Sequence, residues 1–337
     1  YEGKCEIDEG LLTEVLEASA RLVVDALKDA CANAIGARLA PSNAPRLIYV
    51  VGGVVDNEDD DEDDDGIALS TAEMYDPQDA SWTQLAGMAG PRSSHSCVAL
   101  DGKLYAVGGN GASSQRLDTA EVYDPLTDGW QPLAQMTTAR CAFGLAAVGG
   151  RIYAIGGISG DSAALESVEA YDPQLGAWAL VGSMSEDRFG HASVVLDGKI
   201  YVMGGHADGL HDTVAVYDPQ TDSWQQVASM PRGLISHAAA AMGGKIYVTG
   251  GSCKQHNLDS VYVYDSQTNA WTQLASMSVA RWNHASAVVG GKLYVFCGNS
   301  GEGDLISTAE VYDPASDSWA QVPNMTISRT SLVAVAL

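Results

Sequence analysis

Residues 96–130 read SCVALDGKLYAVGGNGASSQRLDTAEVYDPLTDGW and contain nearly one full copy of the unit from which most of the chain is built. Two apolar runs, 97–100 and 104–107, flank Asp101-Gly102, a dipeptide suited to a two-residue hairpin turn. A glycine doublet, Gly108-Gly109, ends the second run, where the backbone must turn sharply or approach a neighbour closely. The tract ending at Tyr123-Asp124 and the tract around Trp130 supply two more short strands, joined by a turn through Pro125. The unit is therefore a sheet of four antiparallel strands.

This unit recurs. Trp82, Trp130, Trp178, Trp224, Trp271 and Trp319 stand 48, 48, 46, 47 and 48 residues apart. Seven residues before each is a tyrosine: Tyr75, Tyr123, Tyr171, Tyr217, Tyr264 and Tyr312. Doublets at Gly52, Gly108, Gly156, Gly204 and Gly250 precede five of the tyrosines, and Cys297-Gly298 precedes the sixth. A period between 40 and 50 residues, with a glycine pair and a spaced aromatic pair, resembles the kelch repeat over residues 46–337. The resemblance implies an all-β, six-bladed kelch β-propeller. The first doublet follows a lone strand, 47–51, and the chain ends on an orphan strand, 332–337. Their complementarity predicts a ring closed by the C-terminal strand, which removes the open edges of a linear array. The tryptophans and tyrosines are expected to be structural anchors between blades.

Composition narrows the function. With 18 basic against 43 acidic residues, the net charge of −25 repels polyanions, so nucleic acid and anionic membrane are not expected partners. No apolar run reaches the length of a membrane span, and no signal peptide is visible. Six scattered cysteines without a C-x-x-C pair suit reduced thiols, hence a cytoplasmic or nuclear setting, better than disulfides or structural zinc.

The four strands of a unit are termed a to d in chain order. Antiparallel pairing puts the a–b and c–d turns on one face, and the b–c loops with the d-to-a crossings on the other. The distance from the second glycine to the tyrosine varies as 22, 14, 14, 12, 13 and 14 residues. Variable loops on a rigid frame make that face the expected surface for a protein or peptide ligand. Arg92, Arg140, Arg188, Arg281 and Arg329 begin strand a there and are expected either to form a basic ring or to brace the crossings. In kelch proteins that recruit degradation substrates, arginines near this rim grip acidic peptides, and the resemblance implies the same option here. Trp282, outside the tryptophan register, is a candidate recognition aromatic. His95, His191, His237 and His284 follow the arginine position by three residues. A metal ring is one reading, but packing residues on separate blades are the expectation. Residues 56–65, acidic except Asn57, form an insertion in the first b–c loop, able to compete with an acidic ligand or to recruit a basic one.

The first 45 residues differ in texture. Apolar residues at helical spacing in 9–35, among them Leu12, Val15, Leu16, Leu27 and Cys31, predict a short helical pair. With Tyr1-Glu2-Gly3 and Cys5-Glu6-Ile7-Asp8-Glu9 they resemble the C-terminal end of a BTB domain, of which this sequence carries only that end. Residues 36–45 are the expected linker, too short for the helical region usual between BTB and kelch. Three functions stand open. The first is the substrate-binding part of a BTB-kelch adaptor for a cullin-3 RING ubiquitin ligase. The second is an actin-binding or scaffold kelch protein, and the third a propeller enzyme such as a copper oxidase. No nucleophile, cofactor-binding or metal-spaced grouping is visible, so no catalytic residue and no cofactor is expected.

Overall fold

The computed structural model describes residues 47–56, 66–254 and 256–337. The helical pair expected over 1–35, the linker at 36–45 and most of the acidic insertion lie outside these residues. The described part is all β, with no helix, and forms a six-bladed propeller.

Five blades are contiguous in sequence. The second is Ser96–Leu100, Lys103–Val107, Ala120–Asp124 and Gly129–Pro132, in that order across the sheet. The third runs Gly144–Val148 to Ala177–Ser183, the fourth Ala192–Leu196 to Ser223–Val227, the fifth Ala238–Met242 to Ala270–Leu274, and the sixth Ala285–Val289 to Ser318–Val322. The first blade takes Val333–Ala336 as its inner strand, paired antiparallel to Ile48–Val51, followed by Ala72–Asp76 and Ser81–Leu85.

Each blade packs on the next through aromatics of strands b and c. The strand-b tyrosine of one blade meets the strand-c tyrosine of the following one: Tyr49 with Tyr123, Tyr105 with Tyr171, Tyr153 with Tyr217, Tyr201 with Tyr264, Tyr247 with Tyr312, and Tyr294 with Tyr75. Ring centroids are 5.9 to 6.5 Å apart. The six contacts return to their start. Each strand-c tyrosine also lies opposite its own blade's tryptophan, as Tyr123 does Trp130 at 5.2 Å. The indole N–H then reaches back to the preceding blade: Trp130 donates to the Ala86 carbonyl at 2.9 Å, and Trp82, Trp178, Trp271 and Trp319 donate likewise to Pro323, Ala134, Ala228 and Ala275. Trp224 is the exception, its buried indole nitrogen lacking a partner. The strand it would reach, Ala177–Ser183, carries a register shift opposite Ser167 and Glu169, which displaces the expected acceptor.

A second ring surrounds the axis. Ser94, Ala142, Ser236, Asn283 and Ser331 have φ between 48° and 56°, and Gly190 has 62°. This left-handed turn directs each amide at the matching carbonyl one blade back. Ala142 donates to Ser94, Gly190 to Ala142, Ser236 to Gly190, Asn283 to Ser236 and Ser331 to Asn283, at 2.8 to 2.9 Å. Ser94 donates to Ser331 at 3.1 Å, completing the circle.

Candidate functional site

The residues expected on the loop rim are placed by the d-to-a crossings, and five of them are not on the surface. Arg92, Arg140, Arg188, Arg281 and Arg329 are at most 3% exposed. The expectation of an exposed basic ring is corrected by this burial. A guanidinium removed from water needs both an opposite charge and acceptors for its fork of N–H donors, and the blade supplies them. Arg140 donates to the Gly156 and Ser167 carbonyls and to Glu169 Oε1, the last at 2.6 Å. Arg92 binds Glu121 at 2.9 Å, Arg281 binds Glu310 at 2.6 Å, and Arg329 is paired with Glu73. The second carboxylate oxygen of Glu121, Glu169 and Glu310 accepts a backbone amide from the crossing, as at Ala89, Thr137 and Ser278. Burial pulls the Arg140 and Arg281 guanidinium groups below their ordinary value, and the paired glutamates oppose that shift.

These glutamates were not singled out from the sequence, although Glu73, Glu121, Glu169 and Glu310 all stand two residues before the repeat tyrosine. The two remaining blades show the same logic. In the fifth, Leu234 replaces arginine and Tyr262 replaces glutamate, so both charges vanish together. In the fourth, Ala215 stands at the glutamate position and Arg188 is neutralised at 2.7 Å by Glu186 of the crossing.

The histidines are likewise packing residues. His95, His191, His237 and His284 are at most 7% exposed, and Phe143 and Leu332 occupy the same place in the third and first blades. Each ring lies between two glycine doublets, Cys297-Gly298 standing for one of them at His284. A Cβ on Gly109 would stand 2.6 Å from His95 Cβ, and one on Gly52 would stand 2.6 Å from His95 Cε1, so both positions need glycine. Burial holds His95 and His191 down to about 3 and His237 to about 4, so the rings are neutral at physiological pH. Among the described residues no group of three or more His, Cys, Asp and Glu is set to hold a metal.

What the loop face does expose is apolar at its centre and acidic around it. The residue after the arginine position pairs with the residue after the glycine doublet. In the sixth blade this pair is Trp282 with Asn299, in the fourth Phe189 with His206, in the fifth Ile235 with Ser252, and in the third Cys141 with Ile158. Trp282 is thus in register with Phe189 and Ile235, and all three are half-buried. Outside them, Asp161, Glu166, Asp187, Asp208, Asp212, Asp259, Glu302 and Asp304 are exposed. Among the described residues only Arg116, Arg232 and Lys254 put lysine or arginine on this face. The other solvent-facing cations, Lys103, Arg151, Lys199, Lys245 and Lys292, sit on the opposite face, each 2.9 to 3.2 Å from an aspartate of strand c. A cavity of about 430 Å³ opens beneath the second b–c loop, lined by Pro91, Leu117, Pro132 and Leu133 with Gln115 and Gln135.

Comparison with known proteins agrees with this architecture. The family model described as "KLHDC2/KLHL20/DRC7 Kelch-repeats domain" matches residues 40–233 and 182–334. An F-box/kelch-repeat protein of Arabidopsis thaliana is 40% identical over 62 residues, 18% of this chain and 14% of that protein. Kelch-like protein 7 of Rattus norvegicus is 46% identical over 44 residues, 13% of this chain and 8% of that protein. The matched stretches therefore span under a sixth of these relatives. The solved structure of YjhT superposes with a TM-score of 0.67 at 18% identity, covering 82% of this chain and 97% of that one, a likeness of fold.

Proposed function

Because the chain belongs to the KLHDC2/KLHL20/DRC7 kelch-repeats domain family, we propose that it is a protein-recognition module whose ligand lies on the b–c loops and d-to-a crossings. One observation carries this. All six blades repeat the buried strand-c tyrosine packed on its tryptophan, and four of them the buried arginine–glutamate pair, while the residues that reach solvent on the loop face differ from blade to blade. A frame that is constant inside and variable at one face presents a recognition surface. Chemistry on the partner is not part of the reading, and the charged groups of the frame are internally neutralised.

The finer reading is the substrate-binding part of a cullin-3 ubiquitin-ligase adaptor, working in the cytoplasm or nucleus. The resemblance of 1–35 to the end of a BTB domain and the partial match to a kelch-like protein support it. Buried free thiols at Cys97, Cys141 and Cys297 suit a reducing compartment. Co-precipitation from cells expressing the tagged full-length protein is the test. Stoichiometric cullin-3 is expected. Retained actin without cullin-3 moves the assignment to the scaffold alternative.

A further inference from the structure

The cavity of about 430 Å³ in the second blade lies between the crossing at 89–92, the b–c loop at 111–119 and the end of the outer strand at 132–135. Two departures from the repeat leave it open. Gly90 stands where the other crossings carry Thr138, Glu186, Arg232, Val279 and Ile327. A Cβ on Gly90 would meet nothing within 4 Å, and its φ lies outside the left-handed region, so neither packing nor backbone demands glycine there. Pro132 stands where Gln84, Gln226, Gln273 and Gln321 occupy four other blades. In the first blade Gln84 folds back to the Ala72 carbonyl at 2.9 Å. Proline has no amide to do so, and Ala120, the counterpart of Ala72, lines the cavity.

An uncharged, apolar group suits this interior. Its charged lining residues, Arg92 and Glu121, are used on each other and on the frame. The five guanidinium N–H groups donate twice to Glu121 Oε1, twice to Thr119 and once to the Gly108 carbonyl, and Glu121 Oε2 accepts the Ala89 amide. A charged guest would find no countercharge. Arg116 and Asp118 of the loop do not line the cavity, and 86–91, 110–115 and 129–139 contain no charged residue in a chain of net charge −25. A cavity of about 150 Å³ already holds a benzene-sized group, so this one has room for two neighbouring apolar side chains. The exposed carboxamides of Gln115 and Gln135 on its lining can donate to and accept from a peptide backbone, which favours a peptide segment over a free hydrocarbon.

We infer that the second-blade cavity anchors an uncharged segment of a partner protein through leucine- or methionine-sized side chains, with the segment's backbone held by the Gln115 and Gln135 carboxamides. The inference rests on the reading that the loop face is the recognition surface, and it places the anchor on one blade rather than at the axis.

Three small probes test this on the full chain by ligand-observed NMR: N-acetyl-leucine N-methylamide, its aspartate counterpart, and isobutanol, which keeps the apolar group without the peptide units. The leucine compound is expected to bind at least about tenfold more tightly than either of the others. Gly90→Ile, which copies Ile327 and sends its side chain into open space, should fill the cavity and weaken the leucine compound by about tenfold or more, with the melting temperature held within about 2 °C. Gln135→Ala should weaken the leucine compound and leave isobutanol unaffected. Failure of the leucine compound to bind, or binding unchanged by Gly90→Ile, overturns the inference. Equal affinity for the aspartate compound overturns the uncharged anchor, and equal affinity for isobutanol makes this a site for free apolar molecules and overturns the peptide partner. Co-precipitation with the tagged full chain separates the inference from the reading beneath it. A partner released when loop tips 207–209 and 301–303 become Gly-Ser tracts, but held by Gly90→Ile, overturns the inference and keeps loop-face recognition. A partner held by both variants overturns both.

Discussion

The amide of Ser94 donates to the carbonyl of Ser331 at 3.1 Å, joining the start of the second blade to the last residues of the chain. This hydrogen bond is one of six related by the blade repeat, and it comes just before Val333–Ala336 pairs with Ile48–Val51. The frame of the loop face therefore depends on the C-terminal strand.

Removal of residues 330–337 should expose the edge of Ile48–Val51 and orphan the Ser94 amide. The expected fall in melting temperature is about 10 °C or more, from several kcal/mol of lost packing and pairing. Calorimetry of the truncated and full chains checks it, and an unchanged melt would show that the tail does not support the ring.

Arg140→Leu should leave Glu169 charged in a fully buried site, at a cost of about 3–5 kcal/mol. The double variant Arg140→Leu, Glu169→Tyr copies the fifth blade's own Leu234 and Tyr262. It is expected to be more stable than the single variant, as measured by urea unfolding. A double variant less stable than the single would contradict mutual neutralisation as the role of the pair.

Acid should destabilise the fold through the buried histidines. Their folded-state values, about 3 for His95 and His191 and about 4 for His237, lie below the ordinary 6.5. Between those limits the unfolded chain binds more protons than the folded one. Stability is therefore full above about pH 6.5 and declines as pH falls, by about 1.4 kcal/mol per pH unit for each histidine. His95→Phe, which copies Phe143, should flatten the slope between pH 6 and about 4. Unfolding free energies across that range provide the check, and an undiminished slope in the variant would refute the assignment.

Trp130→Phe should cost about 1 kcal/mol more than Trp224→Phe, because only Trp130 forfeits an indole hydrogen bond between blades. Paired thermal melts of the two variants measure the difference.

The six blades were legible because tryptophan, tyrosine and the glycine doublet recur at a nearly fixed period, and each has one dominant packing reason to do so. The axial ring was not. Ser94, Ala142, Gly190, Ser236, Asn283 and Ser331 share a backbone conformation and no side-chain chemistry, so no letter pattern announces them. The arginines were located along the chain with two roles open, an exposed ring or a brace for the crossings, and their burial fits the second. A charged residue at a loop boundary reads as surface until its partner is found, and Glu121 or Glu169 lies 29 residues further on, in another strand. The strand-b tyrosines were similarly hidden among apolar runs, where Tyr105 looks like ordinary strand filling.

The central claim is that recognition belongs to the loop face while the rest of the propeller is frame. Replacing loop tips 207–209 and 301–303 with Gly-Ser tracts of equal length, in the full chain, tests it most directly through partner retention and melting temperature together. Loss of the co-precipitated partner with a melt shifted by less than about 2 °C is the predicted result. A partner still held after both replacements, yet released by Lys199→Ser on the opposite face, would contradict the account.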